Sequence, residues 1–237
     1  MNIALIGYGK MGKTVEEIAV KKGHTISLRI NSSNINDLNR ENLKNTDVAI
    51  EFTNPENAVK NILLCIESGV PVVCGTTGWL NRYDEIKNAV TQNNAGFLYA
   101  SNFSVGVNIF FELNKKLAAL MAHQSYEPCI EEIHHTQKKD APSGTAITLA
   151  EQILEAFPNK KRWINSAADH SEDLAVISKR IDPAPGTHHV KYTSEIDDIE
   201  IIHTAHNRKG FASGAVLAAE FIKDKKGVFS MKDVLLL

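Results

Sequence analysis

Short apolar runs alternate with amphipathic stretches through the first hundred residues. NIALI (2–6), TISLRI (25–30), VAIEFT (48–53), VPVVCGTT (70–77) and GFLYA (96–100) are β-type runs bounded by glycine, proline or polar clusters. Between them MGKTVEEIAVKK (11–22), PENAVKNILLCIES (55–68) and LNRYDEIKNAVTQNN (80–94) carry apolar residues at helical spacing. Gly23 and Gly69 stop the first two of these helices. Strands alternating with helices over short connections predict an α/β fold that opens with a Rossmann-type, doubly wound parallel sheet.

Beyond residue 106 the rhythm changes. A helical VNIFFELNKKLAALMAH (107–123) leads to the strand PCIEEIHH (128–135) and the helix TAITLAEQILEAF (145–157). Three β-type runs then crowd together: LAVISKRI (174–181), HHVKYTS (188–194) and IEIIHTA (199–205). Strands gathered with few helices predict a C-terminal α+β domain with an open mixed sheet, largely antiparallel. The tail FASGAVLAAEFIKDKKG (211–227) starts helical and is apolar enough to pack back onto something.

The chain has 237 residues, 43% hydrophobic and 23% charged, which suits one large or two modest domains with a real core. A net charge of −2 gives bulk electrostatics no pull toward nucleic acid or a membrane surface, so neither is an expected partner and any anion site must be local. Cys65, Cys74 and Cys129 are widely spaced, without a CxxC, and each sits in an apolar run, as buried reduced thiols do. The start MNIALIGYGK lacks a basic region before a long apolar core, and no run approaches membrane-spanning length. A cytoplasmic location is expected.

The first strand runs into Gly7-Tyr8-Gly9-Lys10-Met11-Gly12, a complete GxGxxG placed before a helix. Glycine at these points permits the tight turn, the approach of a pyrophosphate and the packing of helix on sheet. The amides of the helix start then face the phosphates. A dinucleotide site is the expectation; the alternative is a tight turn with no ligand. An acid ending the second strand would hold the ribose 2′-hydroxyl of NAD. Here the strand ends at Asn31, followed by Ser32, Ser33 and Asn34, with Arg29 nearby. These neutral groups bond a hydroxyl without repelling a 2′-phosphate, so NADH or NADPH is expected to serve.

The stretch EEIHHTQKKDAPSGTA (Glu131–Ala146) gathers proton-carrying and cationic groups. On a strand, His134 and His135 point to opposite faces, so one metal ion is not readily held by both. No spaced Cys/His set supplies further ligands, and no metal is expected. Lys138 follows in a loop. Asp140-Ala141-Pro142-Ser143 has turn chemistry, with Ser143 as the helix cap. Gly144 and Thr145 then place backbone amides at a positive helix end, a seat for a carboxylate. A histidine that titrates near neutral pH, a lysine and this seat suit a small acidic molecule. A solvated loop with an ordinary cap is the plain alternative.

EEIHHTQKKDAPSGTA resembles the signature of the 4-hydroxy-tetrahydrodipicolinate reductase family, roughly E-x-H-H-x-x-K-x-D-A-P-S-G-T-A; Glu132, His134, His135, Lys138 and Asp140 to Ala146 match. GYGKMG (7–12), CGTTGW (74–79), ASNFSVGVN (100–108), Arg180, Gly186-Thr187-His188 and HTAHNRKGFASGAV (203–216) stand in the family's order, so the resemblance covers essentially the whole chain. It implies an enzyme of the diaminopimelate route to lysine that reduces a cyclic dicarboxylate with loss of water. It implies His134 as acid/base, Lys138 as proton donor, and His135, Gly144 and Thr145 as the dicarboxylate site. It places Gly75, Thr76 and Thr77, with Ser101, Asn102, Phe103 and Ser104, at the nicotinamide end of the cofactor cleft.

The implied division is 1–104 with 209–237 as the dinucleotide-binding domain and 105–208 as the substrate-binding and oligomerisation domain. The implied assembly is a homotetramer built through the second sheet, with domain closure over the ligands. Two departures stand out: Asn31 replaces the cofactor-discriminating acid, and Asp182 replaces a glycine two residues after Arg180. A semialdehyde dehydrogenase on the same architecture would need a nucleophilic cysteine. A non-catalytic dinucleotide sensor would have little use for His134 and Lys138.

Overall fold

The computed structural model describes residues 1–207 and 209–237; Arg208, inside the HTAHNRKGFASGAV stretch, lies outside the described residues. The chain forms two compact units, one made of Met1–Val105 with Lys209–Leu237 and the other beginning at Gly106.

In the first unit, β1 (Asn2–Ile6), β2 (Thr25–Ile30), β3 (Val48–Glu51), β4 (Val72–Cys74), β5 (Gly96–Tyr99) and β11 (Gly227–Phe229) form one sheet in the order β11-β5-β4-β3-β1-β2, every pair parallel. Parallel strands need helical crossovers, and these cover both faces. Ile3 and Leu5 of β1 pack with Val15 and Ala19 of α1 (Lys10–Lys21) and with Ala215, Val216 and Ile222 of α7 (Lys209–Ile222). Ala4 and Ile6 turn the other way, toward Leu43 of the short α2 (Arg40–Leu43), Ala58, Ile62 and Ile66 of α3 (Pro55–Glu67), and Ile86 and Val90 of α4 (Tyr83–Gln92). The order reverses direction between β1 and β3, which opens a crevice at their C-terminal ends.

Two elements of this unit have no signal of their own in the sequence. β11 is three residues long and exists because it pairs with the edge of β5; α8 (Met231–Leu235) follows, capped reciprocally by Ser230 and Asp233. β3 and β4 also end earlier than their apolar runs suggest, leaving Phe52-Thr53 and Gly75-Thr76-Thr77 as loops at the crevice.

The second unit holds α5 (Val105–Met121), β6 (Glu127–His134), α6 (Gly144–Ala156), β7 (Arg162–Ile164), β8 (Asp173–Arg180), β9 (Thr187–Thr193) and β10 (Asp198–Thr204). Its sheet runs β10-β9-β6-β8-β7. The sheet is mixed, but not largely antiparallel: β10-β9 and β9-β6 are antiparallel, whereas β6-β8 and β8-β7 are parallel. α6 carries the chain back so that β7 runs with β6, and the connection 165–172 carries it back again so that β8 runs parallel to β7. Along β6, Pro128, Ile130, Glu132 and His134 are buried, while Cys129, Glu131 and Ile133 are half-buried on the other face. Ile130 joins Val176, Val190, Phe110, Leu149 and Ile153 in the core of this unit.

Candidate functional site

The glycine loop is shaped by contacts that exclude side chains. Gly7 has φ +99°, and a β-carbon on it would stand 1.9 Å from the Phe52 carbonyl oxygen. One on Gly12 would stand 2.6 Å from the Gly7 oxygen. Gly9 differs, with nothing within 4 Å of where its β-carbon would be. Gly7 and Gly12 therefore serve the fold, whereas Gly9 faces open space that a ligand can enter. Gly9 is also the N-cap of α1, which has no side-chain cap and no acid in its first turn, so the positive helix end carries no resident anion.

A cavity of about 560 Å3 opens at this point and is lined by Gly7, Tyr8, Gly9 and Asn31 of the sequence-predicted residues. Lys10, Met11 and Gly12 open α1 beside it, and Gly75, Thr76, Thr77, Ser101, Asn102, Phe103 and Ser104 lie beyond the ends of β4 and β5 rather than in its lining. Phe52 ties these parts together: its ring meets Phe103 edge-on with centroids 5.7 Å apart, and a β-carbon on Gly75 would lie 2.0 Å from it. The Thr53 N–H donates to Thr76 Oγ1 at 2.8 Å, and the Trp79 indole donates to the Thr76 carbonyl at 2.7 Å.

Phe52, Thr53, Asn57 and Asn61 also line the cavity and were missed by sequence reasoning, although they follow a strand beside the switch point. At the β2 end, Asn31 Oδ1 accepts from the Ser33 N–H and hydroxyl at 2.8 and 2.6 Å. Arg29 turns to Glu16, which it holds at 2.5 Å and which also accepts the Tyr8 hydroxyl. The open space, the bare helix end and the neutral β2 terminus fit a dinucleotide.

The second cluster grows from β6. Residues two apart share a face of a strand, which puts Glu132 beside His134. Pairing in register adds His188 of β9 opposite Glu132, and Arg180 of β8 opposite His134. Glu132 is fully buried. Its carboxylate accepts the Ser143 N–H at 3.1 Å and the Arg180 guanidinium at 3.3 Å, and lies 3.4 Å from His134 Nδ1. Burial would raise the Glu132 carboxyl, but the bonds from Ser143 and Ser178 and the neighbouring His134 hold it below the usual range.

His134 is 8% exposed, and its ring meets that of His188 edge-on at 5.1 Å. Burial lowers the His134 pKa, with Glu132 pulling it up and Lys138 and Arg180 pressing it down. Burial drives His188 to about 3, so that ring stays neutral. A β-carbon on Gly186 would stand 3.0 Å from His134 Nε2; glycine there keeps that nitrogen approachable.

The loop beyond β6 is tied at several points. Lys138 Nζ donates to both oxygens of Asp140 at 2.8 Å, and Arg180 donates to the Asp140 carbonyl at 2.6 Å. Asp182, the departure from the family pattern, accepts the Thr136 N–H at 3.0 Å and the Thr136 hydroxyl at 2.6 Å, clamping the turn next to His135. His135 lies just past the strand, half-buried. Ser143 caps α6, its Oγ accepting the Ala146 N–H at 3.2 Å and lying 3.1 Å from His188 Nε2. Gly144 and Thr145 form the first turn, which contains no acid, and a β-carbon on Gly144 would meet nothing within 4 Å.

Glu132, His134 and His188 offer ligand atoms all within 4.8 Å of one another, a trio that reasoning from His134 and His135 alone missed. Arg180 shares the carboxylate, and a guanidinium in that place opposes a metal cation, so the cluster reads as an ion-paired proton site. None of the cysteines is an activated nucleophile. Cys65 and Cys74 are buried, with burial pushing Cys65 up to about 12; Cys129 is only half-buried, and its thiol too is raised by burial and by Glu131. Among the described residues no helix is long and apolar enough to cross a membrane.

Comparison with known proteins bears on both units. The family described as dihydrodipicolinate reductase, N-terminus, matches residues 1–103, and dihydrodipicolinate reductase, C-terminus, matches residues 106–235. A 4-hydroxy-tetrahydrodipicolinate reductase of Christiangramia forsetii is 53% identical over 237 residues, covering 99% of this chain and 98% of that relative. Another, of Methanosarcina acetivorans, is 36% identical over 239 residues, covering 98% and 88%. Among solved structures, a dipicolinate-bound dihydrodipicolinate reductase from Paenisporosarcina sp. TG-14 has the same fold, with a TM-score of 0.79 at 24% identity over 98% of each chain. By its two matched halves and its end-to-end likeness to these reductases, the chain belongs to the dihydrodipicolinate reductase family.

Proposed function

We propose that the chain reduces 4-hydroxy-tetrahydrodipicolinate to tetrahydrodipicolinate, with loss of water, in the diaminopimelate route to lysine, as a cytoplasmic enzyme. The observation that carries this reading is the buried His134 with its carboxylate partner, close in sequence to the capped start of α6. The GxGxxG loop (Gly7, Tyr8, Gly9, Lys10, Met11, Gly12) and Asn31 take the pyrophosphate and ribose of the dinucleotide. Gly75, Thr76, Thr77 and Ser101, Asn102, Phe103, Ser104 take its nicotinamide end. The C4 hydroxyl leaves as water with a proton from C3, which leaves a conjugated imine; when bound, NADH or NADPH would supply the hydride that goes to C4 of that ring.

The chain's own groups then manage charge and protons. His135 and the first turn of α6 at Gly144 and Thr145 hold the dicarboxylate. In the free protein, burial and the charges of Lys138 and Arg180 keep the His134 imidazole neutral near pH 7. Two incoming carboxylates counter those charges and favour the imidazolium. The imidazolium delivers the proton that balances electron density arriving on the ring, and Lys138 offsets the remaining negative charge. A relative of the same fold binds dipicolinate, a planar cyclic dicarboxylate, which supports this substrate class.

The test is oxidation of reduced cofactor, followed by absorbance, with the substrate made in situ by the upstream synthase. Substrate-dependent loss of absorbance is expected with both NADH and NADPH, and calorimetry should give affinities for the two within about tenfold. The reason is the β2 terminus, which has neither an acid to reject a 2′-phosphate nor an unengaged arginine to select it. No absorbance change with either cofactor would overturn the activity; a much larger affinity ratio would overturn the dual use.

The face of the second sheet opposite its core supports a homotetramer. Cys129, Ile133, Ile177 and Ile202 share that face with the ion pairs Lys179–Glu131 and Lys191–Glu200. Light scattering of the purified protein should give a tetramer's mass, and a monomer would rule this assembly out.

A further inference from the structure

We propose that Glu132 is a positioning residue for the reduction, the counter-ion that holds the proton on His134 and fixes which ring nitrogen carries it. The inference rests on the reading of His134 as the proton donor. Three observations carry it. The first is placement: Glu132 and His134 are two residues apart on β6, so the backbone itself sets carboxylate and imidazole on one face. The second is an unmet need. His134 Nδ1 is buried without a hydrogen-bond partner, and Glu132 Oε2 stands 3.4 Å away, at ion-pair distance. A small rotation of the ring turns that approach into a charge-assisted hydrogen bond.

The third is the division of labour within the carboxylate. Arg180 donates to Oε1, whereas Oε2 is the oxygen nearer His134 and His188. The Ser143 N–H is shared between the two oxygens at 3.1 Å each. The carboxylate is thus anchored through its far oxygen and through the cap of α6. It presents its near oxygen to the imidazole.

Among the described residues, the charged and titratable groups facing His134 are Glu132 from its own strand, Arg180 from β8, His188 from β9, and Lys138 and Asp140 from the loop before α6. His188 is neutral, and Asp140 is bound up with Lys138. Glu132 is therefore the negative group left to balance an imidazolium. With Nδ1–H directed at Glu132, Nε2 is the nitrogen left to meet the substrate, on the side where Gly186 leaves room.

A general acid loses activity as pH rises through its pKa in the substrate complex, so the alkaline limb of kcat reads this residue. Glu132→Gln keeps shape and an acceptor for the Ser143 N–H but removes the charge. The limb is expected to move to lower pH by about one unit or more, kcat at neutral pH to fall roughly tenfold or more, and KM for the substrate to change little. Glu132→Asp, which keeps the charge, should restore most of the limb's position. If Glu132→Gln does not fold, Arg180→Gln carries the test, because losing the competing cation must move the limb to higher pH.

A limb that stays in place in these variants, even with kcat reduced, overturns the proposal, since a merely structural carboxylate would lower stability without moving it. Nitrogen-15 shifts of the His134 ring across the titration separate this failure from failure of the underlying reading. Wild-type turnover in His134→Gln would sink the proton-donor role itself; an unmoved limb and unmoved ring titration beside an inactive His134→Gln would sink only the role of Glu132.

Discussion

Turnover is expected to fall by about 10²–10⁴-fold when His134 is replaced by glutamine, with the fold intact. Glutamine fills much of the same space and keeps a polar group beside Glu132, so packing against His188 and Gly186 changes little. What it cannot do is release a proton near neutral pH. The loss should therefore lie in kcat, with cofactor affinity unchanged because the cavity proposed for the dinucleotide is lined by other residues. Lys138→Ala should lose turnover over a similar range. Its ammonium is held by an Asp140 carboxylate that is 60% exposed, so removing it leaves no buried charge unpaired and stability should hardly change. Steady-state kinetics with urea midpoints on both variants checks this. Wild-type-like turnover in either one would remove that residue from the mechanism.

The second large effect is structural and sits in the first unit. Gly7→Ala should destabilise the protein by roughly 2–5 kcal/mol and abolish measurable dinucleotide binding. The position has φ +99°, where an L side chain is strained, and the new β-carbon would drive into the Phe52 carbonyl. That carbonyl belongs to backbone that also forms the cavity wall, so relief of the clash must move the wall. Gly9→Ala is the control. With open space around it, alanine there should leave the unfolding midpoint nearly unchanged while weakening the cofactor, because the added methyl occupies the ligand's path. Equal unfolding midpoints for Gly7→Ala and wild type would contradict this division between a glycine of the fold and a glycine of the site.

Much of the first sheet could be read directly, because its strands are continuous apolar runs and its helices keep a clear period. Gly7 to Gly12, Asn31, Ser143 and His134 were visible for the same reason: each marks a strand end, a helix start or one face of a strand. What was hidden depends on pairing. His188 meets Glu132 only because β9 lies antiparallel to β6 in one particular register, and no local pattern carries that information. Phe52 reads as one more core residue of an apolar run, yet it is the wall between Gly75, Phe103 and the cavity. β7 and β11 are three residues each, too short for a period to form, and they are strands by courtesy of their neighbours. The parallel half of the second sheet was missed because three adjacent β-type runs look like a meander, whereas β8 follows two crossovers, α6 and the connection 165–172, with only the three-residue β7 between them.

The discontinuous first unit constrains how the chain can be made. β1 to β5 leave the ribosome early together with α1, which packs on Ile3 and Leu5, but that face is completed only by α7 and the edge of β5 only by β11. Both partners follow the second unit in sequence. Until α7 and β11 are made, the nascent sheet therefore carries one incompletely covered apolar face and an open edge, two features that invite aggregation. The second unit, in contrast, is contiguous and can fold while α7 is still being translated. Its folding would bring the two ends of the interruption together and shorten the loop that α7 must close to reach the waiting sheet.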